Sequence, residues 1–235
     1  YTPYKKQEVG AIIRDDWTLR TPINITYATA VDLTMRFFRK GLPVVVKGLR
    51  VSVEPAAGIT SKTQCIRLIG RSNIKFDGLM IDRRLTNWAG SNLVYRQCYS
   101  MVFEDCWVVG ANSDTGDSYA LQHAMVDTVR VIGGGYVDSG GATKRERGFA
   151  GRHGSNVHII GPQFAGIDDH WGYRYLIQNV QAAVRGIGVS GGDVTLIDCA
   201  NFSGTLFSVR GDAPYADGTL RMERCFGKGS LFYCD

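Results

Sequence analysis

No apolar run in the 235 residues approaches the roughly eighteen needed to cross a bilayer as a helix, so membrane insertion is not expected. Histidine is scarce at 4, proline at 6, and the 6 cysteines never form a C-x-x-C pair. That missing pair removes the usual zinc and thiol-redox motifs; no cofactor and no metal site is assigned, and with no clean run of oxygen ligands calcium stays optional. Gly-x-Ser-x-Gly is absent, and with it the esterase elbow. Gly133-Gly134-Gly135 lacks the following Lys-Ser/Thr and helix of a phosphate loop. Charge of one sign is not concentrated either: 27 basic residues stand against 22 acidic ones, net +5, with no long Lys/Arg block. Nucleic-acid binders gather such charge into a stripe, so no nucleic-acid partner is expected. A positive face would suit an acidic polysaccharide equally well. The chain opens Tyr1-Thr2-Pro3-Tyr4-Lys5-Lys6, with no initiator Met and no charged segment leading into an apolar one. The expectation is therefore a piece of a longer polypeptide with no signal peptide in view.

What is present is glycine, hydrophobic residues and repetition. The 29 glycines, about 12% against a usual ~7%, suit a chain that turns often, and 44% hydrophobic residues can build a core. Short alternating runs recur between Gly- and Asn-containing turns: Asn73–Ile81, Met101–Val108, Val129–Val137, Val157–Gly161, Val194–Cys199 and Leu220–Cys225. Aligning them puts Arg96, Gln122, Arg152, Gln178 and Val209 in one column, at steps of 26, 30, 26 and 31 residues by subtraction. A second column holds Cys106, Cys199 and Cys225, which reads as an internal stack of buried thiols rather than disulfides.

A period of this size means a solenoid, propeller or array. Five-residue strands exclude helical solenoids, and four strands per blade cannot be found. The fold class predicted is all-β, a parallel β-helix: a single-stranded solenoid of coils of about 26–31 residues. An antiparallel sandwich is the rival, but hairpin dipeptides are few (Asp77-Gly78, Asp217-Gly218). Residues 65–235 carry the coils. Residues 1–64 read as irregular strands (16–25 and 42–53) or a cap, with a possible short helix over 32–41, in one continuous domain.

The units Ser72-Asn73-Ile74-Lys75-Phe76-Asp77-Gly78 and Ser155-Asn156-Val157-His158-Ile159-Ile160-Gly161 resemble those of the pectate-lyase-type right-handed β-helices, particularly bacteriophage tailspikes. The resemblance covers roughly 65–235 and is architectural. It implies a right-handed coil and a homotrimer in a virion tail or other extracellular setting. It also implies recognition, and often cleavage, of bacterial surface polysaccharide. Fold alone does not determine function, so the site has to come from residues.

The sharpest cluster is Gly166-Ile167-Asp168-Asp169-His170-Trp171-Gly172-Tyr173-Arg174, read as a turn between coils. Two adjacent carboxylates differ in pKa because each raises the other, and His170 could tune one of them. Trp171 and Tyr173 offer flat faces to sugar rings, and Arg174 completes the run. Earlier turns containing Asp114, Asp117, Asp138 and Glu146 would stack on the same flank at about 4.8 Å per coil. Glycoside hydrolysis needs an acid and a second carboxylate, so the catalytic candidates are Asp168 or Asp169 with Asp138 or Glu146. Arg152 and His153 would hold substrate, within a polar ladder Gln97–His123–His153–Asn179–Arg210. Two alternatives stay open. One is a lyase of the same fold, using Lys144, Arg145, Arg147 or Arg152. The other is a non-catalytic β-helical adhesin or virion segment in which the ladder is merely a solvated face and the acidic turn merely a turn.

Overall fold

The computed structural model describes residues 22–26, 44–54, 63–82, 90–109, 118–137, 146–161, 163–164, 166–182, 186–209 and 218–234. Among them every regular element is a strand and every strand pairing is parallel, consistent with a parallel β-solenoid. The possible helix at 32–41 lies outside the described residues. So do Asp114, Asp117, Asp138, Lys144, Arg145 and Arg210.

Strand pairing sorts the elements into three stacks. The first contains Thr63–Ile69, Gly90–Arg96, the leading parts of Ser118–Ile132 and Glu146–Ile160, then Ile167–His170, Ile187–Ser190, Phe207–Val209 and Phe232–Cys234. The second contains Val44–Lys47, Ser72–Asp77, Tyr99–Glu104, the trailing parts of the same two long strands, Arg174–Gln178, Asp193–Ile197 and Leu220–Glu223. The third contains nine strands of two to five residues, from Pro22–Thr26 to Phe226–Gly227. Each repeat contributes one strand to each stack, and the long strands simply run through a corner. The expected strand at 42–53 resolves into Val44–Lys47 and Arg50–Glu54, split at Gly48. Both pair in register with later repeats, so the ladders begin upstream of residue 65.

Side chains alternate in and out of a strand, and the inward ones form continuous columns. Leu93, Leu121, Phe149, Ile167, Ile187 and Phe207 line the first stack, and Val46, Phe76, Phe103, Val131, Ile159, Ile177 and Leu196 the second. Phe76 and Phe103 stack at 5.6 Å between ring centroids, and Tyr136 and Phe164 at 4.9 Å. Burying each such side chain contributes about 1.5–3 kcal/mol, so like-on-like stacking supplies the core.

The corners explain the Gly and Asn punctuation. Between the second and third stacks stand Gly48, Gly78, Asp105, Gly133, Gly161, Asn179, Asp198 and Arg224, all with positive φ. Left-handed backbone favours Gly, then Asn and Asp. Arg224 is the exception, and its guanidinium is bonded to Asp198 at 2.6 and 2.8 Å, one repeat earlier. Asn73 and Asn156, in the two units resembling β-helix coils, occupy the corner before the second stack at φ 55° and 52°.

Cys98, Cys106 and Cys199 are buried free thiols, Cys65 is buried as well, and Cys225 is half-buried and free. Cys106, Cys199 and Cys225 share the position just before the third stack, as the expected column has them. Each donates to a carbonyl of the preceding repeat: Phe76, Ile177 and Leu196, at 3.5, 3.3 and 3.6 Å. Burial pushes the Cys106 thiol up to about 12 and the Cys199 thiol to about 11. Thiolate is the reactive form. Iodoacetamide at mildly alkaline pH should therefore leave both unmodified in the folded protein and label both in guanidinium, read by peptide mass spectrometry. Labelling of either in the native state would place it outside this core.

Candidate functional site

Small residues in two outward columns of the first stack create a depression. One column runs Gln122, Ala150, Asp168; the other runs Arg96, Ala124, Arg152, His170. Ala150 and Ala124 sit between longer neighbours one repeat above and one below, so the sheet is locally scooped out. The result is an open cavity of about 440 Å³. Its polar wall is Arg96, Tyr119, Gln122, Arg152, Asp168, His170 and Trp171, and its floor includes Ala124, Ala150 and Gly151.

Asp168 lies at the base, 3% exposed, with its Oδ2 3.7 Å from Nε2 of the partly exposed His170. The two are on the same face of Ile167–His170 because they are two residues apart. Trp171 follows at the corner with φ 57°, its N–H donating to the Ser190 hydroxyl at 3.1 Å. Its ring contacts His153 at 5.1 Å and His170 at 6.1 Å between centroids. His153 and Trp171 occupy equivalent corner positions in successive repeats, after the paired residues Arg152 and His170. The cavity thus has an aromatic rim at one end.

Behind this wall, facing inward, lies a second polar group. Asp169 is fully buried and accepts a 2.6 Å hydrogen bond from the Tyr175 hydroxyl. His123, also buried, brings Nε2 within 2.8 Å of the same Asp169 oxygen. That approach is a close contact and not a hydrogen bond, since neither His123 ring nitrogen has a hydrogen-bond partner. In the ladder His123 pairs with Gly151 and Gly151 with Asp169. Only a residue with no side chain lets the two meet across the repeat between them. A Cβ on Gly151 would overlap the His123 carbonyl and approach Nδ1 to 2.6 Å; one on Gly154 would come 2.6 Å from the Tyr175 hydroxyl; one on Gly172 would strike the Tyr175 ring. Burial, followed by the charge of Asp169, pushes the phenols of Tyr175 and Tyr95 well above their ordinary range. Burial does the same to Tyr136.

The expected turn at 166–174 is in fact a strand, Ile167–His170, followed by a corner. The pair Asp168/Asp169 is therefore divided by strand alternation: Asp168 enters the cavity and Asp169 is sealed in the core. The polar ladder also dissolves. His123 points inward, Gln97 and His153 are corner residues, Asn179 belongs to a different corner, and Arg210 is outside the described residues. Gln122 pairs with Ala150 rather than Arg152, and Gln178 belongs to the second stack. Glu146 begins its strand opposite Ser118, four residues before Ala150, the neighbour of Asp168. At about 3.3 Å per residue that backbone position is about 13 Å along the strand, so Glu146 is not a ladder neighbour of Asp168. Asp138 lies outside the described residues. Of the substrate-binding candidates, Arg152, His170 and Trp171 line the cavity, His123 lies behind it with its side chain fully buried, His153 abuts Trp171, and Tyr173 and Arg174 do not line it. Tyr173 is exposed, with the Arg174 guanidinium 5.8 Å above its ring. Arg96, Tyr119 and Gln122 were not among the candidates. Arg96 and Gln122 shared a repeat column with Arg152 in the sequence, while the small residues beside them carry meaning only once register is known. Among the described residues there is no group of three side chains able to hold a metal ion.

Comparison with known families, with characterised proteins and with solved structures gave no match.

Removing one partner of the buried cluster leaves a buried polar group without its neighbour, which typically costs about 1–3 kcal/mol. Asp169→Ala and His123→Ala should each lower the urea midpoint accordingly, and Gly151→Ala should do so by steric conflict. A change below about 1 kcal/mol in the two polar variants would contradict the cluster.

A pH effect follows from the three buried tyrosines. In the unfolded chain they ionise near pH 10, while in the folded chain they hold their protons. Above about pH 10 the unfolded state has fewer bound protons, so stability is full below that pH and falls above it. The slope should be about 1.4 kcal/mol per pH unit for each tyrosine. Thermal melts across the alkaline range, with phenolate absorbance read in parallel, should show these tyrosines titrating only with unfolding.

Proposed function

We propose that the chain is a right-handed parallel β-helix of the tailspike type that binds bacterial surface polysaccharide in the cavity of the first stack and cleaves it there. In this reading it acts as a homotrimer in a virion tail or other extracellular setting. The observation that carries the reading is the cavity itself. It is an open depression on the flank of the solenoid, lined by guanidinium, amide, imidazole and phenol groups, with Trp171 at its rim and one buried carboxyl at its base. Such groups match sugar hydroxyls and ring faces, and a flank is where a long polymer can lie.

Asp168 is the catalytic group in this reading. It is the one described carboxyl on the cavity wall, and so the group placed to pass a proton to a glycosidic leaving oxygen. His170, 3.7 Å away, is placed to hold its orientation and charge. Hydrolysis also requires a second carboxylate, and Asp138 is the candidate that keeps the original pairing. Elimination is the second reading, because the described wall brings together one carboxylate, one imidazole and two guanidinium groups. A lyase needs a base and positive charge more than it needs two acids. A binding module without cleavage is the third, should Asp168 merely bond a hydroxyl.

The test is incubation with purified capsular polysaccharides and lipopolysaccharide O-chains, with mass spectrometry of the products. Water gained indicates hydrolysis, and an unsaturated terminus indicates elimination. Asp168→Asn is expected to lower product release by at least about a hundredfold, within the range general acid catalysis supplies, while retaining binding and melting temperature. Unchanged release by that variant would remove Asp168 from the chemistry. Binding with no product from any polymer would leave the non-catalytic reading.

A further inference from the structure

The cavity has an imbalance of charge. Arg96 and Arg152 occupy one outward column two repeats apart, so their Cα atoms are about 10 Å apart at the ~4.8 Å strand spacing. Ala124 is the residue between them, and its methyl leaves the space between the two side chains open. Both arginines are exposed, both line the cavity, and neither has an ion-pair partner among the described residues. The one described carboxylate on the wall, Asp168, is buried in the neighbouring column and faces His170. Two like charges thus flank a gap that no side chain of opposite sign fills among the described residues. Guanidinium groups bind carboxylates through paired, parallel N–H···O bonds, and their charge persists at every physiological pH. An acid group seated in the gap would meet both forks at once. A neutral sugar would leave the two arginines to repel one another.

We propose that the cavity selects an acidic sugar residue, a uronate or other carboxylate-bearing unit, whose carboxylate sits between Arg96 and Arg152. This inference rests on the polysaccharide reading above and gives it a substrate class. Trp171, on the same wall, then faces the ring of that sugar or its neighbour, while Asp168 and His170 lie at the base of the cavity.

The probe is a glycan array of acidic bacterial polysaccharides, each spotted beside its own carboxyl-reduced counterpart, with neutral dextran as reference. The wild-type chain is expected to bind acidic members at least about tenfold more tightly than their reduced forms, with affinity falling as salt rises. Arg96→Gln with Arg152→Gln should erase that preference. Arg152→Lys, which keeps the charge and loses the fork, should show an intermediate preference and guards against misreading a folding defect. Equal binding of acidic and reduced forms overturns the inference. So does an unchanged preference in the double variant. If Trp171→Ala abolishes that binding, the polysaccharide reading stands and only the acidic selection falls. Absence of binding to every member, acidic and neutral alike, sinks the polysaccharide reading and this inference together.

Discussion

In-register parallel stacking is the constraint from which the rest of this molecule follows. Each residue in a strand has the residue at the same position of the next repeat about 4.8 Å above it and another below. A side chain therefore meets a column, and the chemistry at any point depends on who stands one and two repeats away. Phe76 on Phe103 and Tyr136 on Phe164 are the favourable outcome of that rule. The cavity is another: alanine at two outward positions, 124 and 150, between larger neighbours produces a depression without bending a strand.

The same rule explains how a carboxylate, an imidazole and a phenol come to share the interior. A charged group taken into a low-dielectric core is costly unless partners surround it. The partners arrive from two other strands: His123 two repeats from Asp169 in the first stack, and Tyr175 from the second stack. Gly151 removes the side chain that would separate His123 from Asp169, while Gly154 and Gly172 clear the space for Tyr175. Displacing one repeat along its strand by a residue would turn Asp169 outward, taking it away from the imidazole and leaving the phenol without its acceptor. The cluster therefore penalises register slips at the place where the cavity needs its two columns aligned.

Strand existence and the thiol column were legible in the sequence because both depend on local patterns. Val157-His158-Ile159-Ile160 alternates whatever lies above it, and Cys106, Cys199 and Cys225 each directly follow a polar corner residue. Register was not legible, because the spacing between equivalent residues is uneven. By subtraction it is 28 residues from Ala124 to Arg152 but 18 from Arg152 to His170. An alignment at a steady 26–31 residues consequently set Gln122 beside Arg152 and placed Gln178 on the wrong stack. Asp168-Asp169-His170 read as a turn because three polar residues between Gly166 and Gly172 have the composition of one. Here both faces of the strand are enclosed, by the cavity wall outside and by Tyr175 and His123 inside, so polarity did not signal exposure. Of the expected residues, Arg152, Asp168, His170 and Trp171 lie together around the cavity, while His123 and Asp169 lie buried behind its wall.

The division of Asp168 from Asp169 also bears on the reaction. A pair of adjacent carboxylates facing one groove would have supplied both acid and partner from a single strand. Alternation makes that impossible, since consecutive residues face opposite sides of the sheet. Any second carboxylate must come from another repeat, and the ladder neighbours of Asp168 are Ala150 and Gly188, neither of which has one. In the hydrolytic reading proposed above, the second carboxylate is therefore not a ladder neighbour of Asp168. In the eliminative reading, Asp168 or His170 would be the base and Arg96 and Arg152 the positive charge that steadies the carbanion.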